Sequence, residues 1–357
     1  YFFFIITVGF FFLITDIIYK IYFDYLQNKK NHVTSNNSYH HTLKKNFIKP
    51  QNYLGKEFKI FTNSLGFKDF EIRKIEKKVN NKRFVFIGDS MTEGVGIEFE
   101  STYIGQISKK LNKKNIETLN AGVQSYSPII YWKKIKDLIE LEKLEFNQLV
   151  VFLDPSDLDD EQTVYELDEY QNVVLRDIRD KYGNLKSISG FERFKLLVRR
   201  HTLYTYIILR SLSAQYKKMK NSYHSWEREV DKNDFRLSWS LKKESEYTVG
   251  LDLMKKYMIK LDELCIKNNV KLTIVVYPLP FHVWNNDFDS IHVSTWENFS
   301  KKNNIYFINF FPFFVKEAAT RKEKLNILNK FYIPEDVHFN REGHKKISEL
   351  FIEKFKY

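Results

Sequence analysis

The chain has 357 residues, 57 Lys plus Arg against 45 Asp plus Glu, a formal net charge of +12 and a pI near 9.3. That length can bury one large core with appendages. The basic excess is spread along the chain among abundant Asn, Ile, Phe and Tyr, and no nucleic-acid motif accompanies it, so nucleic acid is not an expected partner while an anionic membrane surface or acidic glycan is compatible. The single cysteine, Cys265, rules out an internal disulfide.

Taken in order, residues 1–24 read as a transmembrane anchor: Tyr1 to Tyr19 are apolar or uncharged except Asp16. About 20 residues at ~1.5 Å rise cross a ~30 Å hydrocarbon core. A signal-peptide core or a buried helix are the competing readings, disfavoured by the length of the run and by its terminal position. Residues 25–80 read as linker and lead-in. The stretch 28–46 is polar, and His32, His40 and His41 are expected to be solvated there, since no Cys or carboxylate stands at ligand spacing. Thr62-Asn63-Ser64-Leu65-Gly66-Phe67-Lys68-Asp69 follows as a tight turn.

From residue 81 strands and helices alternate. Strands are expected at 83–89, 116–121, 148–153, 271–277 and 306–311, and helices at 101–112, from Pro128 to about Glu142, and at 249–268 and 341–355. Alternation of this kind predicts a parallel sheet covered on both faces with right-handed crossovers. The interval 161–246 breaks the alternation and reads as an inserted helical lobe, a substrate wall or a membrane-facing surface. Trp226 and Trp239 fall in its irregular part, and 191–218 has helical spacing.

Two loops carry the chemistry. Arg83-Phe84-Val85-Phe86-Ile87 is an apolar, β-rich run that stops at Gly88-Asp89-Ser90. A serine at the carboxyl end of a parallel strand stands where open α/β sheets bind ligands, although Asp or Ser after a strand is also an ordinary helix N-cap. Near the far end, Pro334-Glu335-Asp336-Val337-His338 lies in a loop before an amphipathic helix. A serine nucleophile needs a base, and the base needs a carboxylate to fix its tautomer. Asp336 and His338 supply both from one segment, with Glu335 as the reserve carboxylate. His344 follows Gly343 at the start of the final helix, and His282 and His292 are expected to pack at the surface or in the core. Trp284 or Trp296 is a candidate pocket liner.

The order Ser, Asp, His, with acid and base close together near the end, resembles the SGNH (GDSL-type) hydrolase superfamily, and the Asn63–Asp69 segment is similar to an element that many bacterial members carry before the catalytic strand. The resemblance spans about residues 63–355 and implies a flavodoxin-like three-layer α/β/α sandwich. It implies Ser90 as nucleophile and as an oxyanion donor through its N–H, Gly122 as a second donor, and a third block usually reading Gly-x-Asn-Asp. Here that block is Asp154-Pro155-Ser156-Asp157, so Ser156 stands where an Asn amide normally completes the hole. Losing one such donor costs about 10²–10³ in rate. The acidic run Asp154, Asp157, Asp159, Asp160 and Glu161 also permits a metal reading, but loop solvation and helix capping are commoner uses, and no metal or cofactor is expected. What the resemblance implies is a single-pass membrane serine esterase or O-acyltransferase. It would face out of the cytoplasm and act on acylated, chiefly acetylated, cell-envelope glycans or other esters. The rival is a degenerate module that binds glycan or scaffolds an envelope complex.

Overall fold

The computed structural model describes residues 31–176, 239, 243–317, 319–334 and 336–355. All of these except Asn31 belong to one compact unit formed by 32–176 and 225–357. The expected anchor at 1–24 and most of the inserted lobe lie outside the described residues. Among the described residues no helix is long and apolar enough to cross a membrane.

The chain begins with an antiparallel hairpin of β1 (Val33–Asn36) and β2 (His40–Leu43). Three antiparallel strands follow, β3 (Ile48–Tyr53), β4 (Lys56–Thr62) and β5 (Lys68–Asp69). The alternating region then runs β6 (Lys82–Ile87), α1 (Ser90–Glu93), a 3₁₀ turn at Phe99–Ser101, α2 (Tyr103–Asn112), β7 (Ile116–Asn120), α3 (Pro128–Glu140) and β8 (Gln148–Leu153). After β8 come α4 (Asp157–Thr163) and the hairpin of β9 (Tyr165–Leu167) and β10 (Val173–Leu175). The rest is α5 (Glu244–Lys267), β11 (Lys271–Val276), α6 (Pro280–Trp284), α7 (Ile291–Lys302), β12 (Tyr306–Asn309), α8 (Phe311–Phe314), α9 (Arg321–Phe331) and α10 (Arg341–Lys354).

One sheet holds the order β12-β11-β8-β6-β7-β5-β4-β3. The first five strands are parallel, and the last three join antiparallel at the β7 edge. The crossover from β6 to β7 runs one way, and those from β7 to β8, β11 and β12 run the other. With right-handed crossovers, α2 lies on one face and α3, α5 and α7 on the opposite face; α2 packs on α10, and α3 on α5. Helices on both faces explain why all six residues of β8, Gln148-Leu149-Val150-Val151-Phe152-Leu153, are buried rather than alternating. The crossovers diverge between β6 and β8, and the crevice at the carboxyl ends of those two strands is the topological switch point where open α/β sheets take their ligands.

Two expectations are corrected. Residues 31–46 are not a solvated linker: the β1–β2 hairpin occupies them, and residues 48–69 extend the main sheet itself by three strands. His32 Nε2 lies 3.1 Å from Glu93 Oε1, and His41 Nε2 lies 2.8 Å from the Gln124 carbonyl. Burial pushes the His41 imidazole down to about 4, so it is held neutral against the loop after β7 rather than in solvent. The Asn63–Asp69 turn leads directly into the sheet, its last two residues forming β5. Asn63 Oδ1 accepts from the Leu65 and Phe67 N–H groups, and its Nδ2 donates to Asp69 Oδ2 at 2.8 Å.

Candidate active site

Ser90 is the first residue of α1, at the carboxyl end of β6. Asp89 caps that helix: its Oδ1 accepts the Met91 N–H at 3.0 Å. As the first helical residue, Ser90 has a backbone N–H without an intrahelical acceptor. Gly88 and Gly122 are required by space. A Cβ on Gly88 would stand 2.1 Å from Thr92 Oγ1 and 2.8 Å from the Phe152 carbonyl, and one on Gly122 would stand 2.7 Å from the Thr92 side chain.

The loop 333–339 brings His338 to this serine. Tyr332 and Phe339 form an isolated antiparallel bridge, Ile333 N–H donates to the His338 carbonyl at 2.9 Å, and Asp336 N–H donates to the Ile333 carbonyl at 3.1 Å. Asn340 then caps α10, its side chain accepting the Glu342 and Gly343 N–H groups. In the loop so fixed, His338 Nε2 lies 2.9 Å from Ser90 Oγ, and His338 Nδ1 lies 2.6 Å from Asp336 Oδ1. Asp336 is a carboxylate acceptor, so Nδ1 carries the proton and Nε2 is free to accept from the serine. Burial alone would raise Asp336. The bond and charge of His338, with the Tyr53 hydroxyl, outweigh burial and hold the carboxyl at about 2. Burial would lower His338, but the hydrogen bond and charge of Asp336 outweigh it and raise the imidazole above its ordinary value. Glu335 lies outside the described residues.

The remaining sequence-predicted residues are placed elsewhere. His344 is buried in α10, where its Nδ1 accepts the Tyr103 N–H at 3.1 Å and burial pushes it down to about 3. His282 and His292 are both buried in the core. Trp296 is fully buried in the core, while Trp284 is partly buried against it. The oxyanion donors drawn from the second and third blocks are engaged. Gly122 N–H donates to Asn120 Oδ1 at 3.1 Å, and Ser156 donates to Asp154 Oδ1 through both Oγ at 2.6 Å and N–H at 2.8 Å. Of the acidic run, Asp154 and Asp157 turn inward to meet Asp89, with oxygens within 4.8 Å of one another. Glu161 Oε2 instead accepts Ser127 Oγ and the Ile129 N–H at the start of α3.

Sequence reasoning missed the polar floor under Ser90. Tyr277 donates to Asp154 Oδ2 at 2.8 Å, and Asp89 Oδ2 lies 3.1 Å from Ser90 Oγ. Burial, then the charge of Asp154, push Asp89 up to about 8 and Asp157 well above the carboxylate range. Tyr53 was missed as well: it closes β3, and its hydroxyl donates to Asp336 Oδ2 at 2.5 Å. No local motif marks either tyrosine, because Tyr277 meets Asp154 across 123 residues of sequence and Tyr53 meets Asp336 across 283.

No protein-family model matches the chain, and no curated protein does. Solved structures similar in fold include the psychrotrophic esterase EstA of Pseudoalteromonas, at 11% identity over 76% of this chain and 96% of that one, with a TM-score of 0.37. A GDSL-like lipase of Bacteroides thetaiotaomicron shares 14% identity over 78% of this chain and 90% of that one, with a TM-score of 0.37. An acetyl-xylooligosaccharide esterase of Geobacillus shares 13% identity over 79% of this chain and 98% of that one, with a TM-score of 0.38. Two of these neighbours are named as esterases and one as a GDSL-like lipase.

Proposed function

We propose that this protein is an SGNH-type serine ester hydrolase or O-acyltransferase with Ser90, His338 and Asp336 as its reacting set. One observation carries the proposal: a serine hydroxyl 2.9 Å from an imidazole whose other nitrogen is 2.6 Å from a partly buried carboxylate, all at the sheet's switch point. Ser90 Oγ attacks the ester carbonyl carbon while His338 Nε2 takes its proton. Asp336 steadies the imidazolium through the Nδ1–H bond. The tetrahedral oxyanion is held by the Ser90 N–H, and His338 returns the proton to the departing alkoxide, leaving an acyl-serine. Water, deprotonated by the same imidazole, then releases the acid, whereas a sugar hydroxyl in its place makes a new ester. The proposed acyl group is acetyl and the proposed carrier a cell-envelope glycan, with the apolar segment 1–24 as anchor and the catalytic unit outside the cytoplasm. Acetylated sugars are what the Geobacillus esterase is named for, and they are the first substrates to assay.

A second reading, a degenerate glycan-binding or scaffolding module, is favoured by the engaged Gly122 N–H and Ser156 hydroxyl, which leave the Ser90 N–H as the one expected donor not engaged by a side chain. A fluorophosphonate probe separates the two. Covalent labelling of wild type that disappears in Ser90→Ala supports the enzyme, and no labelling, or equal labelling of the variant, supports the module. Acceptor acylation against simple acid release, measured with an acetyl donor and a polysaccharide, distinguishes transfer from hydrolysis.

A further inference from the structure

The β3–β4 hairpin lies outside the five parallel strands that build the switch point, yet its tip reaches the reacting groups. Its turn, Leu54-Gly55, has φ of +49° and +80°, which is the two-residue hairpin geometry with both central residues left-handed. That turn fixes Tyr53 opposite Lys56 as the last pair of the ladder. The ring of Tyr53 then stands edge-on to His338, with centroids 5.8 Å apart and planes at 89°. Gly96, just beyond the serine helix, makes the room: a Cβ there would lie 2.6 Å from the Tyr53 ring, and its φ is +83°.

Asp336 is thus bound at both oxygens by different parts of the chain. Oδ1 takes His338 Nδ1 at 2.6 Å and the His338 N–H at 3.2 Å, and Oδ2 takes the Tyr53 hydroxyl at 2.5 Å. We infer that Tyr53 is a positioning residue of this active site, its hydroxyl clamping the outer oxygen of Asp336 and moderating how strongly the carboxylate holds the His338 proton. This rests on His338 and Asp336 being the base and its orienting carboxylate. A hydroxyl donating to a carboxylate draws off part of its negative charge. With the hydroxyl present, Asp336 stabilises imidazolium less, so the base gives its proton back to the leaving group more readily. Besides Tyr53, the titratable groups facing His338 are Asp336 on its own loop, Asp89 after β6, Asp154 after β8 and His344 on α10. Of these four, Asp336 is the one that the Tyr53 hydroxyl hydrogen-bonds, so a change at Tyr53 reaches the ring by way of that carboxylate.

The test is an NMR titration of the His338 ring in Tyr53→Phe and in protein carrying a fluorinated tyrosine at position 53, each beside wild type. Loss of the hydroxyl is expected to move the His338 midpoint to higher pH by a few tenths of a unit. The fluorinated phenol, a stronger donor, is expected to move it lower. The acid limb of the pH–rate profile should follow in the same directions, with kcat falling several-fold in Tyr53→Phe and KM little changed. A His338 midpoint that stays fixed in both, or moves the same way in both, overturns the inference. The ring titration needs no turnover, so an inactive wild type, unlabelled at Ser90, would sink the proposed enzyme while leaving the Tyr53 result to stand or fall by itself. Should Tyr53→Phe fail to fold, the fluorinated protein alone still decides the matter, since its phenol keeps the shape of the native one.

Discussion

At the scale of single residues, the charges around Ser90 set how activity varies with pH. His338 is raised above its ordinary value, so the fraction of neutral, proton-accepting imidazole falls as pH drops through that raised value. Ester hydrolysis is therefore expected to fade on an acid limb whose midpoint lies above the ~6.5 of a free imidazole, as a plot of kcat/KM against pH would show. Asp336→Asn keeps the shape but allows the wrong tautomer, and kcat should fall by as much as about 10⁴-fold. Asp89 has the opposite bearing on stability. Its folded value is raised to about 8 from an ordinary value near 3.8, so the folded state keeps a proton that the unfolded chain has lost. The stability this proton brings is complete below the unfolded value and declines as pH rises toward the folded one. Thermal melts should drop between about pH 4 and pH 8, and Asp89→Asn, which never ionises, should flatten that slope.

Elements differ in how plainly the sequence announces them. The parallel strands were legible because burial on both faces turns them into unbroken apolar runs, as in Leu272-Thr273-Ile274-Val275-Val276. The long helices were legible from their spacing, with ends that moved by a few residues: α5 starts at Glu244, ahead of the expected 249. Short helices such as α1 and α8, four residues each, give a periodic pattern nothing to repeat. The lead-in strands were hidden for another reason. The residues of β3 alternate between exposed and half-buried, and β2 is His40-His41-Thr42-Leu43; polar composition of that kind reads as linker until a partner strand is known. Their turn also departs from the usual chemistry, with a solvent-exposed leucine at positive φ where Asn would sit more easily. Leu54→Asn should relieve about 1 kcal/mol of backbone strain and raise the melting temperature without altering the Tyr53 contact.

For the whole molecule, the candidate site was half legible. Ser90, Asp336 and His338 were marked by local motifs, while Tyr53, Tyr277 and the engagement of Gly122 and Ser156 arise only when distant segments meet. The joint between the lead-in segment and the sheet is charged and buried. Arg83, on β6, donates Nε to Glu117 Oε2 at 2.7 Å, and its other nitrogens donate to the carbonyls of Glu76, Lys77 and Glu145. Arg73 reaches the same Glu117 and also Asp69. Arg83→Ala would leave Glu117 to Arg73 and take the guanidinium donor from the Glu76 and Glu145 carbonyls, and it should cost about 2 kcal/mol in chemical denaturation.

The hydroxyl of Ser90 and the ring of His338 meet across 248 residues of chain, and the phenol of Tyr53 meets the same ring across 285. No fragment emerging from the ribosome can hold all three until the loop after α9 has been made. During synthesis the proposed nucleophile is therefore translated early and armed late. A nascent polypeptide stalled between residues 90 and 338 would carry the proposed nucleophile without its proposed base.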